Sequence, residues 1–165
     1  MHIAGEDGVA ITLTALCWQF PPGAGEGDDA WLIITGNVDL GNRQWAFEDP
    51  CLEMEEAREL ARWLCDAGKG RITPPPQHDD EAPEPTLRFL EPALGFTVYK
   101  HDENELTVRV FLAAEAAPPW LRNHDAHHAR QVVDLQMPTD RLLAAAAGWS
   151  QELNALPPRP WVDPK

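Results

Sequence analysis

Hydrophobic and polar residues along this chain follow two different periods. Ala10 to Phe20 is rich in β-branched and aromatic residues and stops at Pro21-Pro22-Gly23, the pattern of a strand running into a loop. A second strand fits Ala30 to Val38 and a third Arg43 to Phe47, joined over Asp39-Leu40-Gly41-Asn42, so a hairpin is expected and the three strands should pair antiparallel. The period then lengthens. Met54, Ala57, Leu60, Ala61 and Leu64 recur at spacings of three and four. This predicts an amphipathic helix that starts after Asp49-Pro50, carries Glu53, Glu55 and Glu56 at its electropositive end and stops at Gly68.

Residues 72–85 contain five prolines and almost nothing apolar, which predicts an extended linker inside one domain spanning 1–165, because neither half has elements enough to close a core. Strands follow at Thr86–Leu90, Leu94–Lys100, Leu106–Leu112 and Arg130–Leu135. In the third of these, Leu106, Val108, Val110 and Leu112 alternate cleanly with polar positions. Thr139 is the expected N-cap of a second helix with the stripe Leu142, Ala146, Trp149 and Leu153, ended by Pro157-Pro158. The order predicts an α+β fold: about six or seven mainly antiparallel strands, in one sheet or two packed sheets, with two amphipathic helices and no sequence repeat.

Composition narrows the function classes. The longest uninterrupted apolar run, Leu142–Ala147, is six residues, too short to span a bilayer, and the N-terminus lacks a basic start and an apolar signal core, so a cytoplasmic protein is expected. Cys17, Cys51 and Cys65 lie in hydrophobic segments without metal or disulfide spacing and read as buried, reduced thiols. Net charge is −14. Residues 1–68 hold 13 acids against Arg43, Arg58 and Arg62 alone, so this part carries most of the negative field. That argues against nucleic-acid binding and for a cationic partner.

Candidate chemistry is sparse. His124-Asp125-Ala126-His127-His128 is the one metal-like cluster, but Asn123 and Pro118-Pro119 make it a loop without a carboxylate at ligand spacing. Ser150 is the single serine, and no thiol has a neighbouring histidine. Gly23 to Asp29 imitates a phosphate-binding loop, yet its acids would repel a nucleotide. Of the seven tryptophans, Trp18, Trp31, Trp45, Trp63 and Trp149 read as core, whereas Trp120 and Trp161 follow prolines and could anchor a partner.

Several stretches together resemble the WapI-type immunity protein family: Trp18-Gln19-Phe20-Pro21, Trp31-Leu32, Trp45 with Asp49-Pro50-Cys51-Leu52, Leu60 with Trp63-Leu64, Leu87 to Phe96, Glu115 to Pro118-Pro119-Trp120, and Leu156-Pro157-Pro158-Arg159. The linker departs from the family in its proline content. The resemblance implies a cytoplasmic protein that binds and neutralises a toxin, often a nuclease, with no catalytic residues and no cofactor; Glu91 and Glu115 are the matching acids. A nuclease must hold a polyanion, so its surface is basic and an acidic protein can occupy it. The expected contact residues are Asp28, Asp29, Glu55 and Glu59, on a loop and on the solvent side of the first helix. The competing readings are a housekeeping interaction domain, whose acidity serves solubility, and a small metal-dependent enzyme using His124 to His128.

Overall fold

The computed structural model describes residues 1–23, 28–76, 84–121 and 129–159. They form two four-stranded antiparallel sheets and two helices, an α+β fold with two sheets rather than one. The first sheet runs in the order β1 (His2–Ala4), β2 (Ala10–Trp18), β3 (Trp31–Asp39), β4 (Gln44–Glu53), and is followed by α1 (Met54–Gly68). The second runs β5 (Leu87–Arg88), β6 (Leu94–His101), β7 (Glu105–Ala113), β8 (Arg130–Pro138), and is followed by α2 (Thr139–Ala155). Each half is thus a four-stranded meander ending in a helix, a repetition of architecture that the sequence does not display. β1 is an additional strand, three residues long, and its pairing with β2 places Ile3 opposite Ile11 in the core.

Alternation builds the core. Ile11, Leu13, Ile34 and Val38 of the first sheet and Phe96, Val98, Leu106, Val108, Val110 and Leu112 of the second are each at most 2% exposed, and they join the helix stripes in one cluster. Gly36 faces Phe47 across β3–β4, and the Phe47 ring lies where any Cβ on Gly36 would stand, 2.0 Å from Cε1. The hairpin between β3 and β4 closes on Gly41 at φ +80°, whose N–H donates to Asp39 Oδ1 at 2.7 Å.

Two boundaries differ from expectation. β4 continues through Pro50 to Glu53, so α1 starts at Met54 rather than directly after Pro50. Pro50 is tolerated because β4 is the last strand of its sheet and Ile33 opposes an irregular stretch of ladder between the Leu32–Leu52 and Ile34–Asp49 pairs. The second helix has Pro138, not Thr139, at its N-cap, and no side chain caps it; the Thr139 N–H donates instead to Asn104 O at 3.0 Å.

The helices pack on each other. Trp149, fully buried, donates its indole N–H to Ala57 O at 2.8 Å, and Gly68 lets α2 approach so closely that a Cβ there would stand 2.8 Å from Leu143. The left-handed residue after α1 is Gly70, at φ +67°, rather than Gly68. The far end of the linker is fastened: Glu84 pairs with Arg130 at 2.8 Å and with Arg88 at 3.3 Å, and Pro85 packs against Gly95. Linker residues 77–83 lie outside the described residues.

Candidate functional site

Charge is divided between the sheets. The strands of the first contain Asp39, Glu48, Asp49 and Glu53 and not one lysine or arginine; those of the second contain Arg88, Lys100, Arg109 and Arg130. The cations of the second sheet are held in ion pairs. Arg109 grips Asp134 with two bonds of 2.7 and 2.8 Å and lies 3.7 Å from the Tyr99 ring centre, and the hydrogen bonds to Asp134 lift it further above the ordinary arginine value. Lys100 pairs with Asp102 at 2.7 Å, while Arg88 and Arg130 share Glu84. Glu48, exposed in the first sheet, forms no ion pair among the described residues.

Of the expected contact residues, Asp28 and Asp29 begin a 3-10 turn, Asp28–Ala30, directly before β3. The Asp28 side chain lies outside what is described. Asp29 departs from the expectation of an exposed contact: it is 4% exposed, and its Oδ1 accepts from Arg159 Nη1 at 2.8 Å. Arg159 is equally buried. Its guanidinium also donates to Phe20 O and, at 3.5 Å, to Pro21 O, and lies 4.5 Å from the Trp18 ring centre. The Trp18 indole in turn donates to Pro157 O at 2.9 Å. A buried carboxylate needs a partner, and Arg159 at the far end of the chain supplies one, which sequence distance hides.

Glu55 and Glu59 are exposed on α1 as expected, and Glu55 pairs with Arg58 at 2.6 Å. The pairing of Trp31 with Glu53 brings the Asp28–Ala30 turn and the first turn of α1 to the same end of the first sheet. Glu59 lies about 6 Å further along the helix axis. Between them Glu56 ties the helix start to the second half of the chain, since its Oε2 accepts from Glu53 N at 2.9 Å and its Oε1 from Leu90 N at 2.7 Å. Partial burial, followed by the charge of Glu56, raises the Glu53 carboxyl above its ordinary value.

The thiols separate. Burial, and after it Asp49, pushes the Cys51 thiol up to about 12, whereas Cys17 is exposed against expectation. The cause is a β-bulge: Ala15 pairs with Ile34 and Cys17 with Ile33, so Leu16 and Cys17 both oppose Ile33 and the buried-exposed alternation slips. Leu16 stays in phase with exposed Thr14 and is 52% exposed, so the residue that the slip turns outward is Cys17, which period two from Ile11, Leu13 and Ala15 would bury. Trp120 packs edge-on against Trp45 at 5.4 Å rather than standing free. Trp161 and the His124 to His128 cluster lie outside the described residues. Among those described, no three His, Cys, Asp or Glu side chains converge as metal ligands.

Among known protein families, the model of one described as the immunity protein WapI-like family matches residues 2–157. No curated protein and no solved structure matches the chain. The stretches that resemble the family meet one another in space. Trp18 to Pro21 receives Pro157 and Arg159, Trp45 receives Trp120 and donates to Ala116 O at 3.0 Å, and Trp63 and Phe89 both pack on Phe96.

Proposed function

Since the chain belongs to the immunity protein WapI-like family, we propose that it binds and neutralises a cognate protein toxin, without catalysis and in the cytoplasm, by covering a basic surface of that toxin. A nuclease is the toxin chemistry that fits. Its active-site surface must attract phosphates, and an acidic protein competes for the same cations. The observation that carries the reading is the segregation of charge: a first half holding most of the net −14, whose sheet lacks any lysine or arginine, beside a second sheet whose cations are already paired. Asp28, Glu55 and Glu59 form the contact residues, and Asp29 serves them indirectly by holding its turn to Arg159.

The test is binding and growth rescue with the toxin C-terminal domain encoded beside the gene. The parent protein restores growth and binds tightly, with affinity falling as salt rises. Reversing Asp28, Glu55 and Glu59 to lysine together lowers affinity at least tenfold, mainly by slowing association. Unchanged affinity in that triple variant removes the contact assignment; a parent that neither binds nor rescues removes the function.

A further inference from the structure

We propose that the strap following α2, residues 156–159, is a latch seated in an arginine-specific socket, and that a basic partner docks by placing an arginine of its own there. This rests on the neutralisation reading and names one contact that the toxin makes. The socket combines what a guanidinium needs. Trp18 offers a ring face, 4.5 Å from the Arg159 guanidinium; Asp29 Oδ1 accepts from Nη1 at 2.8 Å; Phe20 O accepts from Nη2 and Pro21 O from Nη1 at 3.5 Å. All four groups come from the end of β2, the chain just beyond it and the turn before β3, so the socket is complete without the strap. A lysine has neither the planar face for the indole nor the fork that reaches a carboxylate and two carbonyls at once.

The strap is built to lift. It belongs to no helix or sheet, so its release breaks no ladder, and Pro157 and Pro158 have no N–H to donate. Among the described residues, its hydrogen bonds to the first half are the Trp18 indole to Pro157 O at 2.9 Å and those of the Arg159 guanidinium. Beneath it lies a cavity of about 190 Å³ lined by Trp18, Met54, Leu153, Pro157 and Arg159, and the buried Arg159 Nε has no acceptor. The resident arginine therefore leaves a donor unsatisfied over incomplete packing. Lifting the strap alone would strip Asp29, 4% exposed, of the Arg159 charge, which keeps the latch shut in the free protein. A partner that supplies an arginine restores that pair, so the exchange costs little. Charge selects a basic protein as that partner: the socket lies in the half that carries most of the net −14, and Arg58, also at the cavity, is offset by Glu55 at 2.6 Å. A second copy of this chain, at the same net charge, is repelled.

Trp18 supplies a direct readout, through its indole N–H resonance in tryptophan-labelled protein, assigned with a Trp18→Phe variant. Arg159→Ala melts below the parent, and N-acetylargininamide at millimolar concentration raises that melt and shifts the Trp18 resonance, whereas N-acetyllysinamide does neither. The same variant binds the toxin domain encoded beside the gene at least tenfold more tightly than the parent, because its socket no longer has to be vacated. In the parent, toxin binding moves the Trp18 resonance as Pro157 O leaves it. If the parent binds while that resonance stays at its free position, or if Arg159→Ala binds no more tightly, the exchange is overturned and the neutralisation reading stands. If Arg159→Ala does not fold, the Trp18 resonance of the parent decides alone. Equal stabilisation by the lysine probe overturns the arginine specificity of the socket. A parent that fails to bind removes the neutralisation reading, and the exchange with it.

Discussion

Single side chains divide here between those that hold the fold and those left for contact. Cys51 belongs to the first kind. Its thiol is raised to about 12, so between roughly pH 9 and 12 the folded protein retains a proton that the unfolded chain has lost, and stability falls as pH rises through that window. Denaturant melts should show an alkaline decline of up to about 1.4 kcal/mol per pH unit that a Cys51→Val variant largely lacks. Below pH 9 the two should decline in parallel. Asp29 is the instructive residue for sequence reading. A run of Gly, Glu and Asp reads as an exposed acidic loop, and Asp28 and Asp29 look equivalent in it. The difference is made by Arg159, 130 positions away, and no local pattern carries that information.

Elements were legible where period and partner agreed. The apolar stripe of α1 and the alternation of β7 are in the structure as the sequence spells them, because each has one face in the core. Legibility fails at bulges. Cys17 follows buried Ile11, Leu13 and Ala15 at a spacing of two, so alternation alone places it in the core and cannot show that the ladder slips and turns it outward; Pro50 reads as a helix start because the irregular ladder that accommodates it inside β4 is a property of the pairing. The join between β4 and α1 also depends on a long-range bond. Replacing Glu56 by alanine leaves Glu53 N and Leu90 N without their acceptor and should cost about 1–3 kcal/mol in urea melts, while Glu56→Gln, which keeps an oxygen, should retain part of it. Equal losses in the two would show that the carboxylate, not the acceptor geometry, does the fastening.

For the molecule as a whole, net charge acts on stability and on binding with opposite signs. At −14 the folded chain repels itself, so raising salt from about 10 to 300 mM should raise its melting temperature in calorimetry while weakening its grip on a cationic partner. A melting point that falls with salt would mean that internal ion pairs such as Arg109–Asp134 outweigh the repulsion. The family match and the fold class were both readable in order along the chain, since the family-like stretches are spread from Trp18 to Arg159.

The contact of α1 with α2 also sets an order in time. A ribosome releases the first meander and α1 well before Leu143 and Trp149, the residues that close over Gly68 and Ala57. Until then Leu60, Leu64 and the inner side of β2 and β3 have no complete cover, so the nascent first half is the stretch that a chaperone would meet. Each meander can form from near neighbours, whereas the helix pair joins Ala57 to Trp149 across 92 positions, so closure waits until α2 has been made.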